Sequence, residues 1–158
     1  MKFTTVATFA LAQCATGVLS FPTLNVRALE PLEDDYPYGE TDCGVPDEWN
    51  FYTCQGTSFV AYRINERLDI DFNNQYEGEY WGNANTWDNA AEEIGLEVNQ
   101  TPQVGAVAQT SEGRFGHVAW VAAYNGTDVT VEEYNFSEKE AYSTRTVSKD
   151  AFEKYIHF

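Results

Sequence analysis

An α+β fold is predicted, with helices in the first half of the chain packed on an antiparallel sheet built from the second. Three observations carry it. Apolar residues recur at helical spacing before residue 95, the period drops to two after Pro102, and an Asn-Gly pair at 125–126 marks a tight hairpin between two alternating runs. At 158 residues the chain has room for one domain with its own core and not for two.

Taken in order, the chain opens with Met1-Lys2, an apolar stretch from Val6 to Ala15 and small residues at Gly17-Val18-Leu19-Ser20. This is the make-up of a secretory signal peptide over residues 1–20, with cleavage after Ser20. A membrane anchor needs about 20 unbroken apolar residues, which the stretch lacks. Residues 21–40 hold Pro22, Pro31, Pro37 and the acidic run Glu33-Asp34-Asp35 without any period, and read as an extended leader. Residues 41–158 form the expected domain. Val60, Ile64 and Leu68, with Ala61 beside them, predict a helix whose start Gly56 or Thr57 caps. A second helix has Asn85 or Thr86 as its cap, Trp87, Ala90, Ala91 and Ile94 on one face, and Gly95 as its stop. Strands follow over residues 105–109, 117–124, 128–135 and 143–147.

The net charge of −16 and pI near 4.2 argue against a nucleic-acid or anionic-membrane partner, because both would be repelled. A soluble, secreted monomer is expected. Once Cys14 leaves with the signal, Cys43 and Cys54 are the two remaining thiols, and an even pair in an oxidising compartment predicts a disulfide. Sequons for N-glycosylation stand at Asn99, Asn125 and Asn135. The histidines carry no paired-ligand spacing, so no zinc and no other cofactor is expected.

The segment Cys54-Gln55-Gly56-Thr57-Ser58-Phe59-Val60-Ala61-Tyr62-Arg63 resembles the Gln-Cys-Thr-Ser-Phe-Val-Ala-Trp-Arg signature of CHAP domains, the cysteine- and histidine-dependent amidohydrolases and peptidases that cut peptidoglycan. Gly56 falls on the cysteine. The likeness extends to Tyr36-Pro37-Tyr38-Gly39, to Trp81-Gly82-Asn83-Ala84-Asn85 with Trp87, and to Thr101-Pro102-Gln103-Val104-Gly105-Ala106-Val107. It also covers Gly116-His117-Val118 followed one strand later by Glu133-Tyr134-Asn135. It implies a papain-like fold, His117 as general base, Glu133 or Asn135 as the group that orients it, Gln55 as an oxyanion donor, and bacterial peptidoglycan or its peptides as partner. His157, near the C-terminus, reads as a surface or closing-strand residue.

Such chemistry needs a thiolate at a helix N-terminus and an imidazole beside it. The turn decides whether the imidazole meets its orienter. A two-residue loop at Asn125-Gly126 would set His117 opposite Tyr134 and leave Glu133 on the wrong face. A three-residue loop, Tyr124-Asn125-Gly126, would set His117 opposite Glu133 with Asn135 on the same face, and is the turn the chemistry requires.

With glycine at the nucleophile position, the expectation is an inactive peptidoglycan-hydrolase homologue. A non-catalytic cell-wall binding or decoy protein and a hydrolase using Cys54 are the alternatives. Most of the aromatics, Trp49, Tyr80, Trp81, Trp87 and Trp120 among them, are expected in the core, with Tyr38 and Trp120 as groove walls.

Overall fold

The computed structural model describes residues 32–39 and 42–158; the expected signal peptide and most of the leader lie outside the described residues. Two helices, α1 (Gly56–Leu68) and α2 (Trp87–Glu93), precede a six-stranded antiparallel sheet. Its strands are β1 (Glu97–Asn99), β2 (Val107–Thr110), β3 (His117–Tyr124), β4 (Asp128–Tyr134), β5 (Tyr142–Ser148) and β6 (Lys154–His157), in the spatial order β1-β6-β2-β3-β4-β5. The α+β arrangement is therefore as the sequence reads. No predicted span covers β1 or β6, of three and four residues, although the closing-strand reading of His157 points to β6.

Helix α1 lies against β3 and β4, and α2 against β1 and β6. Phe59, Val60, Ala61 and Ile64 of α1 meet Trp81, Trp87, Val107, Val118, Trp120, Tyr134 and Ile156 in the main core, between the helices and one sheet face. Alternation sends Ala106, Ala108, Ala119, Val121, Val129 and Val131 to a second cluster with Phe152 and Tyr155. A fully buried arginine fastens the helix to the sheet: Arg63 donates to Glu132 Oε1 on β4 at 2.7 Å, to Asp35 at 2.5 Å and to the Glu33 carbonyl at 2.8 Å. Residues 32–39 thus lie on the domain, and Tyr36 is itself a core residue.

The start of α1 differs from expectation. Gln55, extended at φ −113° and ψ 153°, is the N-cap, and Gly56 is the first helical residue. Its carbonyl accepts from Phe59 N–H at 3.0 Å, while its side chain is engaged elsewhere. The first turn is held from below by the Cys43–Cys54 loop: Asp47 Oδ1 accepts from the amides of Trp49 and Phe51, and Ser58 Oγ donates to Asp47 Oδ2 while meeting Tyr36. Helix α2 follows Thr86 and runs out before Gly95, whose φ of +81° suits glycine.

The β3–β4 connection corrects both turn alternatives. Tyr124 pairs with Val129, which leaves four residues, 125–128, in the loop, and the register then shifts between Val121 and Ala123 so that Ala122 is an extra residue. Asn125 builds the loop by accepting the amides of Thr127 and Asp128 on its Oδ1. The four-residue loop alone would put Glu133 on the face opposite His117. The bulge restores the parity: with Trp120 against Glu132, the same register carried on sets His117 across from Asn135, with Glu133 diagonal to it on the same face.

Cys43 and Cys54 form the predicted disulfide, with Cα atoms 5.2 Å apart. Reduction, or the double change Cys43→Ser/Cys54→Ser, is expected to lower stability by about 2–4 kcal/mol. Calorimetric melting with and without reductant measures it, and an unchanged melting temperature would show that the loop does not depend on the crosslink.

Candidate active site

Strand alternation places Glu133 opposite in face to Glu132, so that one neighbour binds the helix and the other the imidazole. His117 Nε2 lies 3.0 Å from Glu133 Oε2, and both side chains are buried. An ionised carboxylate only accepts, so Nε2 donates in this contact, and in the neutral ring Nδ1 is the nitrogen that keeps a lone pair. Nδ1 faces α1: a Cβ placed on Gly56 would lie 3.4 Å from it, 3.4 Å from the Tyr134 carbonyl and 3.2 Å from the Val118 carbonyl. The helix N-terminus, the imidazole and the carboxylate are therefore set in the order that cysteine-hydrolase chemistry needs, and the residue at the helix start that faces Nδ1 is Gly56.

Glu133 is held on every side. Arg145 Nε donates to Oε2 at 3.0 Å, the oxygen that also meets His117, and Ser137 Oγ donates to Oε1 at 2.6 Å. Burial pushes its pKa up, but the hydrogen bonds from His117 and Ser137 and the charges of His117 and Arg145 outweigh burial and leave it below the ordinary carboxylate range. Phe136 stacks on His117 with ring centroids 3.9 Å apart and planes at 14°, and the Arg145 guanidinium carbon lies 4.7 Å from the centroid of the Phe136 ring.

Of the two expected orienters, Glu133 touches the imidazole and Asn135 does not. Asn135 sits at φ +51° just past the end of β4, accepts the Glu140 amide on Oδ1 and donates from Nδ2 to Gln55 Oε1 at 2.9 Å. Gln55 is thereby turned so that Nε2, without a partner among the described residues, is its spare donor. Cys54 lies fully buried within the disulfide. His157 pairs with Glu97 in the β1–β6 ladder and bonds Asn99 at 3.2 Å, a structural position in which burial lowers the imidazole pKa against the opposing pull of Glu97.

These groups stand in a cleft of about 490 Å³. Its aromatic walls are not the expected pair. Trp120 is fully buried in the core, and Tyr38, half-buried, gives its hydroxyl to Glu48 outside the cleft lining. The walls are Tyr52, Tyr80, Phe115 and Phe136, all exposed. Tyr80, expected in the core, is 69% exposed, because its ring leans over the bare backbone of Gly82 beside the cleft. These residues sit in loops, where no period marks which way a side chain faces.

Comparison with known proteins agrees with this geometry. The sequence profile of the CHAP domain matches residues 46–135. A probable autolysin, LDP, of Staphylococcus aureus (strain NCTC 8325 / PS 47) is 44% identical over 115 residues, which cover 72% of this chain and 39% of that protein. The secretory antigen SsaA of the same strain is 38% identical over 109 residues, 67% of this chain and 39% of the relative. The chain thus spans about two fifths of the length of these curated relatives. A crystal structure of an N-acetylmuramoyl-L-alanine amidase from Staphylococcus aureus superposes with a TM-score of 0.57 at 25% identity, over 78% of this chain and 37% of the other.

The depressed pKa of Glu133 has a stability consequence of definite sign. The ionised carboxylate contributes fully above its unfolded-chain value, about 4.3, and the contribution is lost as pH falls through the lower folded-state value. Glu133→Gln, uncharged throughout, is expected to be less stable than the parent by roughly 3 kcal/mol at neutral pH, with the gap closing in acid. Melting curves of both proteins from neutral to acid pH test this, and a gap that stays constant would show that Glu133 is not held ionised.

Proposed function

Because the chain belongs to the CHAP domain family, we propose that it is a secreted homologue of peptidoglycan amidases and endopeptidases that keeps their cleft and general base but does not hydrolyse its ligand. The observation that carries this reading is the 3.4 Å between His117 Nδ1 and the Cβ position of Gly56. A thiol there would meet its base directly, and glycine supplies none. In this reading His117 is the base position, Glu133 its orienter and Gln55 Nε2 the oxyanion donor, a set that binds and polarises a carbonyl without attacking it. Removing a nucleophile costs on the order of a million-fold even where the rest of a site is intact.

Bacterial peptidoglycan is the proposed partner, supported by relatives named as an autolysin and an amidase. Secretion is supported by the signal-like residues 1–20 and by a relative named as a secretory antigen. The proposed order is signal over residues 1–20, a leader whose residues 32–39 pack on the domain, and the domain proper over residues 41–158. A hydrolase built on Cys54 is the weaker reading, since that sulfur is already bonded to Cys43.

A zymogram against bacterial cell walls tests the proposal. The parent is expected to bind walls without clearing them. Gly56→Cys is expected to clear them in a thiol-dependent way, by several orders of magnitude over the parent, once the Val118 carbonyl, 3.2 Å from the new Cβ, yields a few tenths of an ångström. Gly56→Cys/His117→Ala should be inert. Clearing by the parent that disappears in Cys54→Ser would overturn both the inactive reading and the disulfide's role.

A further inference from the structure

Six large apolar side chains are exposed among the described residues, and four of them, Tyr52, Tyr80, Phe115 and Phe136, stand on the one cleft that holds Gly56 and His117. The other half of the pattern is charge. In a chain of net charge −16, no Asp, Glu, Lys or Arg lines this cleft among the described residues. Apart from the His117 imidazole, its polar side chains are amides and hydroxyls. The side chains of Asn50 and Asn83 make no hydrogen bond among the described residues, and Gln55 keeps Nε2 spare.

We infer that this cleft recognises an uncharged, β-linked oligomer of N-acetylated amino sugars, the glycan part of a cell-wall polymer in preference to its charged peptide. The inference rests on the proposed reading that the site binds a wall polymer without turnover. Each such sugar unit presents a flat C–H face that packs on an aromatic ring and an edge of hydroxyl and acetamido groups that pair with planar amides. A stem peptide carries several carboxylates and amines, and the described lining offers them only the His117 imidazole as they give up water.

One of these rings, Phe136, is set before the ligand arrives. Tyr80 leans over Gly82, its Cε1 atom 2.8 Å from where a Cβ would stand, so a larger residue at 82 would shift the ring. Phe136 is stacked on His117 at 3.9 Å and beneath Arg145 at 4.7 Å. Exposed rings that are already fixed lose little freedom on binding, which is what a binding wall requires.

Calorimetric titration of the intact protein with the hexamer of β-1,4-linked N-acetylglucosamine, with bacterial glycan strands freed of peptide and capped as the methyl amide at each lactyl carboxyl, and with a free stem pentapeptide tests this. Retention on intact bacterial walls is followed in parallel. The hexamer is expected to bind, and Tyr80→Ala and Tyr52→Ala, both at exposed positions, to weaken it by about tenfold each. Equal binding of the bacterial strands would identify the wall glycan as the source, and binding of the hexamer alone a homopolymer of the same sugar; both support the inferred chemistry. Binding of the pentapeptide without the hexamer, or a hexamer affinity untouched by both tyrosine changes, overturns the inference and leaves the wall-binding reading standing. Loss of wall retention together with hexamer binding unaffected by the cleft variants would overturn both.

Discussion

Two adjacent glutamates on β4 hold the whole arrangement. Glu132 points to the helix side, where it takes the buried Arg63 of α1 at 2.7 Å; Glu133 points to the other, where it takes His117 at 3.0 Å. Arg63 lies seven residues, two turns, from Gly56 and so on the same side of α1. The ion pair therefore fixes the rotation of the helix as well as its position. One strand segment sets both the place of the α1 N-terminus at Gly56 and the orientation of the imidazole that faces it. A buried pair of this kind contributes little net stability compared with apolar packing, but removing one partner is costly, which makes it a register device.

The legibility of the fold follows element length. Helix α1 and strands β3, β4 and β5 carry seven or more residues each, enough for a period to show, and their sequence-based spans agree closely with the structure. No predicted span covers the short β1 and β6, yet β6 enters the sheet between β1 and β2. The site residues were legible as an ordered set, and the structure brings Gly56, His117 and Glu133 together. The split of roles between Glu133 and Asn135 was not, because it depends on the backbone leaving the extended region at Asn135. The turn was misread for a related reason: face parity constrains the sum of loop length and bulges, and Ala122 carries the bulge without any sequence mark.

Glycine at position 56 also shapes how α1 sits. The Val118 carbonyl stands 3.2 Å from the missing Cβ, tighter than most side chains accept, and the Tyr134 carbonyl 3.4 Å from it. The helix N-terminus thus rests a few tenths of an ångström closer to β3 than a larger residue would hold it. In the reading proposed here the loss of chemistry and the closeness of this contact are the same substitution seen from two sides.

The Cys43–Cys54 crosslink ends two residues before that glycine. A low-pKa thiolate so near a disulfide would be poised to attack it and scramble the pairing. With glycine there, the described residues hold no free thiol, and nothing in the cleft can climb the ladder from sulfenic to sulfonic acid. The binding cleft is in this sense redox-silent: oxidants and alkylating agents that disable cysteine hydrolases find no sulfur in it, and its crosslink has no neighbouring nucleophile to undo it.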